Sequence, residues 1–213
     1  MTSVILLMAG VGSRMRANKN KMLIMLNNKP LYEYSLDLFK NLNVELILVV
    51  SKDDYNFFES LNLNVKLVIG GNTRQESVYN GLLVSSKDRV LIHDGARILA
   101  SRELINKCLN SKAPSYFVGI KPKNTIRYDK SFKTLNRDEL IEVQTPQGGN
   151  KNLFLNNFKR IIENNIAITD DISSLDEESL KETEFIQGEE SNIKITTPFD
   201  LLIAKAILED YND

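Results

Sequence analysis

Val4-Ile5-Leu6-Leu7-Met8-Ala9-Gly10-Val11-Gly12-Ser13-Arg14-Met15 opens the chain, and Lys19-Asn20-Lys21 comes soon after. Val4 to Met8 is a short apolar run, the mark of a buried strand. Ala9, Gly10, Gly12 and Ser13 then strip away side-chain bulk where that strand ends. A backbone without Cβ atoms turns sharply and brings its N–H groups close to a ligand. Arg14, Arg16, Lys19 and Lys21 place fixed positive charge beside the turn. Small residues and cations after a buried strand suit a polyphosphate.

Two familiar phosphate loops are excluded by spacing. The dinucleotide fingerprint needs a third glycine where Met15 stands, and no Gly-x-x-x-x-Gly-Lys-Ser/Thr string occurs. A glycine turn flanked by solvated lysines remains the plain alternative, so the rest of the chain has to decide.

Outward from this turn, strand and helix patterns alternate. Pro30 begins a helical pattern with Leu31, Tyr34 and Leu38 on one face, since proline suits a helix N-terminus. Val44–Val50 reads as a strand, Lys52–Leu61 as a short helix and Val65–Ile69 as a third strand. A helical pattern resumes near Arg74, with Asn72 and Thr73 as candidate caps. Arg89–Ile92 reads as a fourth strand, Ser101–Leu109 as a helix and Tyr116–Ile120 as a strand. Such alternation predicts an α/β fold whose mostly parallel sheet is flanked by helices, with ligands beyond the carboxyl ends of the strands.

The residues just past each strand are therefore the ones placed to meet a ligand. Gly70-Gly71-Asn72-Thr73-Arg74-Gln75-Glu76-Ser77 places a helix N-terminus at the sheet edge, where anions are favoured. His93-Asp94-Gly95-Ala96-Arg97 places a carboxylate there, a partner for a divalent cation directly or through water. His93 is the one histidine, and without a partner cysteine or second histidine it reads as a hydrogen-bonded structural group. Residues 121–138 carry many cations, few core residues and two alternating pieces around Asp129-Lys130-Ser131, as in a projecting β-hairpin. A strand is expected to end at Val143, before Gln144-Thr145-Pro146-Gln147. Asn150–Ile162 reads as a helix, Thr169-Asp170-Asp171 as the cap of a short one, and Glu184–Ile186 as the start of a strand. Thr197 and Pro198 open a final helix.

The chain has 213 residues, which favours one domain spanning 1–213. A net charge of −1 points to neither a nucleic-acid nor an anionic-membrane partner, so positive charge must be local. The single cysteine, Cys108, excludes an internal disulfide and a cysteine-rich zinc site. No apolar run approaches the roughly 20 residues of a membrane span, and a cytoplasmic location is expected.

Six motifs occur in order: Ala9-Gly10-x-Gly12-x-Arg14-Met15 with Lys21, Gly70-Gly71-x-x-Arg74-Gln75-x-Ser77-Val78, His93-Asp94-Gly95-Ala96-Arg97, Gln144-Thr145-Pro146-Gln147, Thr169-Asp170-Asp171, and Asn192-Ile193-Lys194-Ile195-Thr196-Thr197-Pro198. Together they resemble the 2-C-methyl-D-erythritol 4-phosphate cytidylyltransferases, over nearly the whole chain. The resemblance implies a Rossmann-like nucleotidyltransferase fold and a homodimer joined by β-arms. It also implies Mg²⁺ or another divalent cation, with CTP and a polyol phosphate as substrates. By the same resemblance Arg14, Lys21, Arg137 and Lys194 are catalytic cations. Ala9, Gly10, Gly12 and Ser13 receive the triphosphate, and Gly71, Asn72 and Ser77 read the cytosine. Asp94 and Gly95 lie near the ribose and the metal, and Thr145 is a further nucleotide contact. Arg97, Thr125 and Thr169 surround the polyol. Thr125 and Arg137 lie on the arm and would complete the neighbouring subunit's site.

The chain departs from the family's pattern at several places. Met8, Asn20, Ile98 and Asn124 stand where alanine, proline, proline and aspartate are common, and Gly148-Gly149 replaces a bulkier pair. A ribitol 5-phosphate cytidylyltransferase resembles the same motifs and differs in the polyol pocket. A sugar-1-phosphate nucleotidyltransferase is a third reading. A non-catalytic nucleotide-binding module is the reading from a different class; retention of Arg14, Lys21 and Lys194 argues against it.

Overall fold

A computed structural model describes residues 1–10 and 20–210. The strands are β1 (Thr2–Leu7), β2 (Met25–Leu26), β3 (Lys29–Pro30), β4 (Val44–Val50), β5 (Lys66–Ile69), β6 (Arg89–Asp94), β7 (Ser115–Ile120), β8 (Glu142–Asn150) and β9 (Thr183–Gln187). The helices are α1 (Leu31–Asp37), α2 (Tyr55–Ser60), α3 (Arg74–Val84), α4 (Arg102–Asn110), α5 (Lys151–Glu163), α6 (Glu177–Lys181) and α7 (Pro198–Asp210). Strands β2 and β3 form a small separate hairpin, and the remaining seven form one sheet in the order β5-β4-β1-β6-β8-β7-β9. Pairings on the β5 side are parallel, and β8 runs antiparallel to both β6 and β7.

The apolar runs divide by strand periodicity. Val4, Leu6, Leu48, Val50 and Leu91 face one side, packed against α1, α2, α4 and α7. Ile5, Ile47, Val49, Val90 and Ile92 face the other, against Val78 and Leu82 of α3 and Phe154, Phe158 and Ile161 of α5. A strand covered on both faces needs apolar residues at successive positions, which is why these runs are continuous. Each fully buried Leu, Ile or Phe contributes roughly 1.5–3 kcal/mol.

Helix α1 buries Leu31, Tyr32 and Ser35, and Tyr34 and the C-cap Leu38 pack half-buried against the same core as Leu31, as the pattern from Pro30 predicts. One expectation, the end of a strand at Val143, needs correction. The strand expected to end at Val143 runs on as β8 to Asn150. Its register with β7 shifts between Phe117 and Val118, so Thr145 and Pro146 bulge out and the missing proline N–H leaves no gap in the ladder. Gly148 and Gly149 lie beyond the bulge. A Cβ on Gly148 would meet the Val90 carbonyl at 2.1 Å, and Gly149 has φ +147°. The departure at this pair is thus what lets β8 fit between β6 and β7. The cap expected within Thr169-Asp170-Asp171 is made by Asp170, whose carboxylate accepts the Ser173 N–H at 3.3 Å in the 3-10 turn Ile172–Ser174, while Asp171 makes no side-chain cap.

Residues 121–138 turn back on themselves through an antiparallel bridge between Arg127 and Thr134, supported by Tyr128 N–H to Lys133 O (2.8 Å) and Leu135 N–H to Ile126 O (2.9 Å). Tyr128 and Phe132 are exposed on it. No helix among the described residues is long and apolar enough to cross a membrane.

Candidate active site

The chain lays down β1, β4 and β5 in one direction, then returns to place β6 on the other side of β1. The crevice at the carboxyl ends of such strands is where open α/β sheets take ligands. Here it is a cavity of about 410 Å³ whose walls include Ala9, Gly10, Lys21, Asn72, Asp94 and Lys194. Gly95 does not line it; its N–H donates to the carbonyl of Leu7, a lining residue, at 2.9 Å. Gly12, Ser13 and Arg14 lie outside the described residues.

Lys21 stands in a 3-10 turn, Lys21–Leu23, capped by the Asn20 side chain. Its Nζ donates to the Ile195 carbonyl at 3.0 Å, across the cavity mouth. The opposite wall is the start of α3. Thr73 accepts from the Glu76 N–H at 3.1 Å, and the Glu76 carboxylate takes the N–H groups of Asn72 (2.6 Å) and Thr73 (3.3 Å), forming a capping box. Ser77 Oγ accepts from the Gly71 N–H at 3.1 Å and donates to the Thr73 carbonyl at 2.9 Å. Ser77 therefore shapes the Gly70-Gly71 turn as well as lining the cavity. The partial positive charge of the α3 N-terminus faces the same space.

Asp94 is the electrostatic centre. Arg74 donates to its Oδ1 from Nε (3.2 Å) and Nη2 (3.1 Å), and Lys194 Nζ sits 2.7 Å from Oδ2. Burial alone would raise the Asp94 pKa, but Arg74 and Lys194 outweigh it and hold the carboxyl well below the usual range. Arg74 also grips Asp171, from Nη1 to Oδ1 at 2.6 Å and Nη2 to Oδ2 at 2.9 Å. Burial pushes the Asp171 carboxyl up while Arg74 opposes it. Two carboxylates thus neutralise Arg74 and Lys194, and Lys21 brings further positive charge to the same cavity.

His93 lies behind Asp94 and is fully buried. The Arg97 carbonyl can only accept, which leaves His93 Nδ1 to accept the Thr145 hydroxyl at 3.1 Å, while Thr145 Oγ1 accepts the Asp94 N–H at 3.0 Å. Nε2 then carries the ring proton and donates to the Arg97 carbonyl at 3.0 Å. Burial pushes the imidazole pKa down to about 4. His93 is a neutral strut, and Thr145 acts on Asp94 from inside the wall.

Arg97, Thr169, Thr125 and Arg137 are not among the residues lining this cavity, though Arg97 is close enough to act on the charge of Asp94. Arg97 is half-buried, its Nη1 donating to the Asn192 carbonyl at 2.7 Å. Thr169 is exposed. Thr125 and Arg137 line a separate hollow of about 440 Å³ with Thr134 and Asn136, and Arg137 Nη1 donates to the Lys123 carbonyl at 2.8 Å. Sequence reasoning missed Arg74, Asp171 and Thr196 as site groups. Arg74 was visible in its motif, but only as the point where a helix resumes.

A metal can be tested against these groups. Among the described residues no three His, Cys, Asp or Glu side chains converge as a ligand set. Asp94 is the one carboxylate among the described residues lining the cavity, and both its oxygens already face cations. That donor set fits a hard cation carried mainly by phosphate oxygens and water, with one protein carboxylate at most.

Fold and cavity together are those of a Rossmann-like nucleotidyltransferase. A sequence profile of the 2-C-methyl-D-erythritol 4-phosphate cytidylyltransferase family matches residues 2–210. Proteins of that name are 38% identical in Clostridium tetani, over 98% of this chain and 91% of that one, and 39% identical in Clostridium beijerinckii, over 99% of each. The crystal structure of 4-diphosphocytidyl-2C-methyl-D-erythritol synthase from Anaerococcus prevotii superposes with a TM-score of 0.83 at 30% identity, covering 98% of this chain and 96% of that one. The chain belongs to the 2-C-methyl-D-erythritol 4-phosphate cytidylyltransferase family and is a cytidylyltransferase.

Proposed function

We propose that this enzyme transfers CMP from CTP to 2-C-methyl-D-erythritol 4-phosphate, releasing pyrophosphate and forming 4-diphosphocytidyl-2-C-methyl-D-erythritol for isoprenoid synthesis. The observation that carries the reading is the convergence of Lys21, Lys194 and Arg74 on a cavity bounded by Ala9, Gly10 and the α3 N-terminus.

In this reading Ala9, Gly10, Gly12 and Ser13 receive the triphosphate on backbone N–H groups, and Gly71, Asn72 and Ser77 hold the cytosine edge. The acceptor phosphate oxygen attacks the α-phosphorus as the bond to pyrophosphate breaks. A phosphate monoester is largely ionised at neutral pH, its second pKa being about 6, so no general base is needed. That agrees with a single histidine locked away as a neutral strut. The barrier is repulsion between anions, which Arg14 and Lys21 lower by stabilising the charge that builds on the α-phosphate. Lys194 and Arg137 align the attacking phosphate, and Arg97, Thr125 and Thr169 surround the polyol. Mg²⁺ bound at the triphosphate would neutralise part of its charge, with Asp94 as the protein contact, directly or through water.

Arg137 and Thr125 sit on an exposed arm with its own hollow. We place them in the site of a second subunit, which makes the enzyme a homodimer. The family profile covers the chain in one stretch, which supports one catalytic domain over 1–213 carrying the arm. We also place the enzyme in the cytoplasm, as the family reading implies.

The test is pyrophosphate release by purified protein with CTP and either 2-C-methyl-D-erythritol 4-phosphate or ribitol 5-phosphate. Turnover with the first and little with the second is expected. A preference for ribitol 5-phosphate would overturn the assigned acceptor.

A further inference from the structure

The Asn20 side chain is 8% exposed, and its amide has partners on both its nitrogen and its oxygen. Nδ2 donates to the Met8 carbonyl at 3.0 Å and to Asp54 Oδ2 at 2.7 Å. Oδ1 accepts from the Met22 N–H at 2.9 Å. The orientation of the amide is unambiguous, because a carbonyl can only accept and a backbone N–H can only donate. Met8 leads into the glycine turn and is itself pinned to β4, its N–H donating to the Val49 carbonyl at 2.8 Å. Met22 belongs to the turn that carries Lys21. Asp54 lies just past β4, where Ser51 donates its hydroxyl to the carboxylate and accepts the Asp54 N–H at 3.1 Å. One amide therefore joins the chain before the glycine turn, the chain after it, and the loop beyond β4.

The turn needs such support. It spans only Lys21–Leu23 and is closed by i to i+3 bonds, Leu23 N–H to Asn20 O at 3.0 Å and Ile24 N–H to Lys21 O at 3.1 Å. One turn of 3-10 helix does not hold itself in water. Lysine adds a flexible four-carbon stem, so the placement of its ammonium depends on a fixed backbone. A catalytic group displaced by about 1 Å can lose about a hundredfold in rate.

We propose that Asn20 is a positioning residue for cytidylyl transfer, fixing the Lys21 backbone against Met8 and Asp54. The proposal rests on the reading of Lys21 as a cation acting on the α-phosphate. Asn20 is not among the residues lining the cavity; its effect passes through Lys21.

The experiment compares Asn20→Ala, Asn20→Asp, Asp54→Asn and the double variant Asn20→Asp/Asp54→Asn with wild type and Lys21→Ala. Each is assayed for kcat and for the KM of CTP, with thermal unfolding followed in parallel. Asn20→Asp sets two carboxylates against each other and should lower kcat by at least about tenfold, with a smaller change in KM. Lowering the pH should restore part of that loss relative to wild type, because the shared proton makes one carboxyl a donor again. The double variant exchanges donor and acceptor across the Asp54 contact alone, the Met8 carbonyl still lacking its donor, and should recover part of the kcat lost in Asn20→Asp, which also keeps the test valid if Asn20→Ala does not fold. Wild-type kcat in folded Asn20→Asp and Asn20→Ala, alongside a disabled Lys21→Ala, would overturn the positioning role alone. A kcat loss that merely tracks the unfolded fraction would also overturn it. An active Lys21→Ala would instead overturn the assignment of Lys21 on which the proposal rests.

Discussion

Lys194 Nζ rests 2.7 Å from Asp94 Oδ2, so the cation assigned to the acceptor phosphate is paired with a cavity carboxylate. An arriving phosphate competes with that carboxylate for the ammonium. Lys194→Met should therefore lower kcat/KM for the polyol phosphate by about a hundredfold or more, the scale for losing one electrostatic stabiliser. Steady-state kinetics with the acceptor varied at saturating CTP measures this, and an unchanged value contradicts the role.

Arg74 holds Asp94 and Asp171 together. Arg74→Met would leave Asp171 buried without its partner, a change that costs about 3 kcal/mol or more. Urea unfolding should show the loss at neutral pH. It should shrink in acid, because a protonated Asp171 no longer needs the guanidinium. Asp94, whose pKa is lowered in the folded protein, contributes fully above its unfolded value of about 3.9, and that contribution erodes as the pH falls below it.

His93 offers a separate test, since it is the one imidazole in the chain. Its pKa falls from 6.5 to about 4 on folding. A histidine buried neutral contributes stability above its unfolded pKa and loses it as pH falls toward the folded value. The contribution, roughly 3 kcal/mol, should therefore disappear between about pH 6.5 and pH 4. Its proton NMR signals should stay those of a neutral ring down to about pH 4; a midpoint near 6.5 would contradict the buried strut.

The arm can be tested by complementation. Lys21→Ala and Arg137→Ala should each be inactive. If Arg137 works across the dimer, a mixed dimer carries both defects in one site and neither in the other. That intact site should turn over at about the wild-type rate, its cations all being in place. Verified mixed dimers without activity would contradict the shared site.

The parallel half of the sheet was legible because its residues report their own environment. Val44–Val50 is apolar at every position except Glu45, and β4 has those bounds. β8 was cut short because Pro146 and Gly148-Gly149 read locally as breakers, whereas the bulge and the close approach of Val90 that make them suitable come from distant strands. The same holds in the cavity. Lys21, Asp94 and Lys194 stand in motifs, but Arg74 and Asp171 are 97 positions apart and their pairing leaves no local trace. Asn20 stands where proline is common, and the partners that give its amide a role, Met8 and Asp54, lie 12 and 34 positions away.

The central claim is that the cations around the glycine turn act on the α-phosphate of CTP. Pyrophosphate release with saturating CTP and 2-C-methyl-D-erythritol 4-phosphate, compared between wild type and Lys21→Ala, tests it most directly. The account predicts a fall in kcat of about a hundredfold or more, with a smaller change in the KM for CTP. A kcat equal to that of wild type would contradict it.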